Sequence, residues 1–174
     1  MKTRRPKSPM TIQHLLCHTS GLTYGGFLPG LELPVDSAYS AAGISRESTD
    51  TLEQFVTKLA EVPLLYEPGS RWSYSLANDV CGHLIEVISG QPLERFLQER
   101  LFEPLEMPDT GFSVPDEKLD RFAACYERAP DKSLRLQDDP ATSRYRIPPK
   151  APSGAGGLVG TVQDYANFCE MLLN

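Results

Sequence analysis

Tyr74 stands between the Pro68-Gly69 turn and the start of a helix, where rigid neighbours can fix a side chain at the edge of a cleft. A phenol with an ordinary pKa of about 10 is a poor base at neutral pH. A cation beside it lowers that value and brings phenolate chemistry within reach. The local sequence supplies no lysine, so on these residues alone Tyr74 reads as a core or surface aromatic. His14 and His18 are spaced so that one helix face could offer both rings to a metal ion. A catalytic zinc site wants a third protein ligand, and the remaining histidine, His83, falls on a different helix. The pair therefore reads as structural, with one ring bonded to backbone at a helix end. The run from Gly154 to Gly160 resembles a dinucleotide fingerprint until its spacing is checked, because Val159 occupies the place of the last required glycine. A tight turn with close backbone packing is the reading that remains. Nucleophile-elbow, HExxH, P-loop and EF-hand patterns are absent from the chain.

The composition of the 174 residues, 40% hydrophobic and 23% charged, is that of an ordinary globular chain and excludes a disordered or fibrous one. The length predicts one domain. A net charge of −6 argues against a duplex-binding role, which needs a basic face to neutralise phosphates. The basic cluster Lys2, Arg4, Arg5 and Lys7 is followed by no apolar run, so it reads as neither a signal peptide nor a membrane anchor. Cys17, Cys81, Cys125 and Cys169 are far apart and sit mostly inside apolar patterns, which predicts buried, reduced thiols in a cytoplasmic chain.

The elements that must position these residues can be placed from periodicity and caps. Thr11 caps a short helix with an Ile12, Leu15, Leu16 stripe, stopped by Ser20-Gly21. Residues 22–48 show no sustained period and predict a long surface excursion. Thr51 with Gln54 forms the capping box of a second helix, buried through Leu52, Phe55, Val56 and Leu59. Ser75 caps a third, with Val80, Cys81, Leu84, Ile85 and Ile88 inward and Gly90 as its stop. Pro92 opens a fourth helix. From 103 to 152 prolines replace periodicity, except for a hairpin pairing 122–127 with 133–137. Thr161 and Asp164 then open a last helix with Tyr165, Phe168, Cys169 and Leu172 facing inward.

Four blocks in this order carry a family resemblance. Thr11-Ile-Gln-His-Leu-Leu-Cys-His-Thr-Ser-Gly-Leu22 resembles the HLLTHTSGL segment of the serine β-lactamase and penicillin-binding-protein superfamily, in its class C-like branch that includes family VIII carboxylesterases. Pro68-Gly-Ser-Arg-Trp-Ser-Tyr-Ser-Leu-Ala-Asn-Asp-Val-Cys-Gly82 resembles that branch's PG..W.YS...D..G block. The stretch from Ile88 to Phe112 resembles its SG.PL…PL.M.DT.F block, and Ser153 to Asn174 its GGGGL.ST..D…F..MLLN block.

The resemblance implies a mainly α segment of an α/β (α+β) serine β-lactamase-like fold: a helical subdomain with long loops and at most a short β-hairpin. It maps the family's catalytic tyrosine onto Tyr74. The third residue of that motif is Leu76 instead of asparagine, which is similar to the esterase branch. Tyr24, Phe27, Leu76, Ser153 and Gly154 are the implied substrate-binding residues, and no metal or organic cofactor is implied. The family's Ser-x-x-Lys motif does not occur in the chain, and its Lys/His-x-Gly strand has no counterpart here. Residues 1–174 are thus expected to be part of a catalytic domain, inactive alone. In the longer enzyme a serine attacks an ester or amide of a small molecule, and lysine with Tyr74 relays the proton. No nucleic acid or membrane partner is expected, and an apolar face left uncovered predicts self-association. The competing readings are a non-catalytic helical interaction module, or a β-lactamase, D-Ala-D-Ala peptidase or acyltransferase of the same superfamily.

Overall fold

The structure is a computed structural model, and it describes residues 3–26, 32–44 and 50–174. The backbone divides into two compact units, residues 1–96 with 150–156 and residues 97–149 with 157–174.

In the first unit, α1 (Ile12–Leu16) begins at Thr11, whose hydroxyl accepts the His14 N–H at 3.2 Å while the His14 ring Nδ1 accepts the Thr11 N–H at 3.3 Å. His14 is thereby spent on a cap. Of the predicted stripe only Leu15 is buried; Ile12 and Leu16 are exposed. Inside the expected excursion lies a further helix, α2 (Asp36–Ala41), which seats Val35 and Tyr39 fully in the core. Two anchors four residues apart are too few for a visible period, which is why the sequence reading missed it. α3 (Leu52–Ala60) has the predicted reciprocal cap, Gln54 N–H to Thr51 Oγ1 and Thr51 N–H to Gln54 Oε1. α4 (Ala77–Ser89) ends at Gly90 in the left-handed region, φ 69°. Its N-cap is Leu76, not Ser75, because the Ser75 hydroxyl is engaged elsewhere. The buried residues of α4 are Ala77, Asp79 and Gly82, whereas Ile88 is exposed.

The core gathers Leu15, Leu22, Val35, Tyr39, Ile44, Leu59, Val62, Leu76 and Ala77. Beside it a cavity of about 740 Å³ is lined in part by Met10, Leu22, Val56, Leu59 and Val80. α5 (Leu93–Leu97) follows, and the chain then widens into a π-type turn at Gln98–Phe102.

In the second unit the hairpin forms with shifted ends: β1 (Cys125–Arg128) pairs antiparallel with β2 (Leu134–Asp138), with a register irregularity between Cys125 and Tyr126. Its turn closes through Lys132 at φ 71°. α6 (Val162–Leu173) starts at Thr161 as expected. The inward face does not follow the prediction: Tyr165 and Leu172 are exposed, Phe168 and Cys169 are half-buried, and the buried residue is Asp164. Its carboxylate accepts from the Asp109 N–H at 2.9 Å and the Thr110 and Thr161 hydroxyls at 2.8 and 3.0 Å. A carboxylate with three donors can be buried where an unpaired one could not.

The cysteines also depart from expectation. All four are free thiols, but Cys17 and Cys125 are exposed and Cys81 and Cys169 half-buried. Their apolar neighbours in sequence lie on helices and strands too lightly covered to bury them. Among the described residues no helix is long and apolar enough to cross a membrane.

Candidate active site

Tyr74 is held by two irregular segments laced together. The N–H groups of Leu65, Gly69, Ser73 and Leu76 donate to the carbonyls of Gly21, Thr19, His18 and Thr23 at 2.8, 2.7, 2.8 and 3.1 Å. Such bonds satisfy backbone that neither helix nor sheet provides for. The approach is so close that a Cβ at Gly21, where φ is +86°, would stand 2.2 Å from the Tyr66 carbonyl oxygen. Only glycine fits both the turn and the contact. His18, a non-glycine residue at φ 53°, carries backbone strain at the same place.

This lacing brings four rings together. Tyr24 stacks on Tyr74 with centroids 5.1 Å apart and planes 28° apart. His18 lies against Tyr74 at 5.0 Å and meets Trp72 edge-on at 6.3 Å. Tyr74 is 41% exposed and Trp72 68%, so both rings stand at an open surface. The resemblance implies Tyr24 as a substrate-binding residue; its stacking on Tyr74 comes from the structure. His18 and Trp72 were quoted within its blocks but not picked out as site residues.

The His18 Nδ1 and Ser75 Oγ lie 3.1 Å apart, a histidine–serine pair of the kind that activates a nucleophile. Ser75 is 1% exposed, so no ester carbonyl reaches it, and Ser20 is fully buried. Both hydroxyls are therefore structural. Leu76 faces the core; what it offers the site is its backbone bond to Thr23. Phe27 lies outside the described residues. Ser153 and Gly154 are seated on the first turn of α4: the Ser153 hydroxyl donates to Asp79 Oδ1 at 2.5 Å. Burial pushes the Asp79 carboxyl above its ordinary value, against the opposing pull of the Ser153 hydroxyl and the Gly154 N–H. The same burial, with the nearby Asp79 charge, raises the Cys81 thiol. Among the described residues no group of three or more histidine, cysteine or acidic side chains is placed to hold a metal ion.

Comparison with known proteins places this mainly helical chain in the serine β-lactamase and penicillin-binding-protein superfamily. The β-lactamase family model matches residues 1–174, so the chain belongs to the β-lactamase family. Protein Rv1367c of Mycobacterium tuberculosis is 34% identical over 99% of this chain and 41% of its own length. Esterase EstB of Burkholderia gladioli is 34% identical over 94% of this chain and 44% of its own. Among solved structures, EstCE1, described as a hydrolase with promiscuous acyltransferase activity, superposes with a TM-score of 0.75 at 34% identity over 97% of this chain and 46% of that one. Simvastatin synthase of Aspergillus terreus does so at 0.74 and 28%, over 98% and 40%. The chain thus spans less than half the length of these relatives.

Proposed function

We propose that this chain is the tyrosine-bearing segment of a β-lactamase-family serine hydrolase of esterase type, which cleaves small-molecule esters through an acyl-enzyme. Tyr74 is its general base and proton relay. The nucleophilic serine and its lysine partner come from polypeptide outside residues 1–174, and residues 1–174 alone are inactive. The carrying observation is the placement of Tyr74: its ring is stacked on Tyr24 and braced by His18, and it is open to solvent on a backbone that its own sequence block laces in place. A lysine brought beside that phenol would stabilise the phenolate and supply the cation that the segment lacks. The serine hydroxyl would then lose its proton to Tyr74 as it attacks the carbonyl carbon, and the proton would pass on to the departing alcohol. Esters are favoured over β-lactams by Leu76 at the third motif position and by the relatedness to EstB. Tyr24, Ser153 and Gly154 would border the substrate. Leu76 would hold the Tyr74 strand through its bond to Thr23.

The test is Tyr74→Phe in the polypeptide encoded by the complete reading frame, assayed on p-nitrophenyl esters. The expected result is a loss of about 10²–10⁴-fold in the acylation rate with the fold retained. Unchanged acylation would remove Tyr74 from the mechanism.

A further inference from the structure

Two stretches far apart in sequence meet on the first turn of α4. The Ser153 hydroxyl donates to Asp79 Oδ1 across 74 residues of chain. The Ala155 N–H turns back to the Ser153 Oγ at 3.0 Å, so the carboxylate, the hydroxyl and one loop amide form a connected chain. Asp79 is 8% exposed, and a carboxylate that far from water is retained only where donors compensate its desolvation. The backbone contact is equally specific. A Cβ at Gly154 would stand 2.1 Å from the Asn78 carbonyl oxygen, and one at Gly82 would stand 3.4 Å from Gly154. At Gly154 no side chain beyond hydrogen fits where this loop crosses the helix.

We propose that Asp79 is a positioning residue: together with Ser153 it clamps the glycine-rich loop 153–156 onto the first turn of α4, the helix that Tyr74 leads into. The proposal rests on the reading above for what the loop is held in place to do, namely border the substrate beside Tyr74. The clamp itself is a property of this chain. Its effect is to turn a glycine-rich segment, which by composition has the most backbone freedom to lose, into a fixed edge. Freezing the loop before substrate arrives lowers the ordering cost of binding.

The experiment is residue-resolved amide hydrogen exchange by NMR on this chain and on Asp79→Ala, Ser153→Ala and Ser153→Thr. The informative amides are the crossed ones. Ala155 bonds to Ser153, yet it should exchange about tenfold faster in Asp79→Ala; Gly154 packs against the Asn78 carbonyl, yet it should exchange about tenfold faster in Ser153→Ala. Ser153→Thr, which keeps the hydroxyl, should restore both amides, and α3 should be unaffected throughout. Should Asp79→Ala fail to fold, the Gly154 readout in Ser153→Ala and its rescue by threonine decide the matter alone. Ala155 unchanged in Asp79→Ala and Gly154 unchanged in Ser153→Ala, or faster exchange spread evenly over α3 and α4, would overturn the clamp. No substrate enters this measurement, so its failure leaves the hydrolase reading standing, and failure of that reading leaves the clamp standing.

Discussion

Asp79 makes the residue-scale chemistry measurable without substrate. Its folded-state pKa is raised above the ordinary 3.8 by burial, so the charged form is the one folding disfavours. Its contribution to stability is therefore greatest at low pH and declines as pH rises from about 4 through the raised value. Asp109 has the opposite sign: its ion pairs with Lys118 and Arg121 hold it at about 2, so the stability it gives is present above the ordinary carboxylate range and is lost as pH falls through about 2. The expected outcome is that Asp79→Asn, compared with the parent chain by thermal melting between pH 3 and about 7, removes the declining component and leaves the Asp109 component untouched. A parallel pair of curves would show that folding leaves the Asp79 pKa at its unfolded value. Gly154→Ala should cost about 1–3 kcal/mol in urea unfolding, because its methyl group meets the Asn78 carbonyl.

At the scale of elements, what the sequence disclosed was local physics. The Thr51–Gln54 box, the Thr161 cap, the Gly90 stop and the hairpin all depend on residues within a few positions of one another, and the structure has each of them, although the Asp164 carboxylate takes the Thr161 hydroxyl and does not close a second box. What it concealed depends on partners far along the chain. Ser75 reads as a helix cap until His18 draws its hydroxyl away. α2 has too few anchors to show a period, and the stripes of α1 and α6 are apolar by sequence yet covered only in part. Tyr74 is proposed as a site residue on the resemblance, whereas its ring neighbour His18 and the Asp79–Ser153 bond become visible only when the segments are laced together. The caps also give a quantitative check. Thr51→Ala removes a hydroxyl that accepts the Gln54 N–H, and the loss in urea unfolding should be about 1 kcal/mol. Ile12→Ala, at an exposed position of α1, should fall within about 0.5 kcal/mol of the parent.

At the scale of the whole molecule, the chain matches the β-lactamase family model over its full length but spans less than half of its relatives. It carries a braced, open tyrosine, while Ser20 and Ser75 are shut away from any substrate. The proposed enzyme therefore divides its chemistry between this segment and polypeptide that brings the serine and lysine. The most direct test is intact-mass spectrometry after treatment with a fluorophosphonate and, separately, with a penicillin. It is applied to this 174-residue chain and to the product of the complete reading frame around it. The account predicts a fluorophosphonate adduct on the longer protein and none on this chain. An adduct on this chain would place the nucleophile within residues 1–174, with Ser153 the first position to examine. Absence of an adduct from both proteins would contradict the serine-hydrolase assignment and favour a non-catalytic helical module.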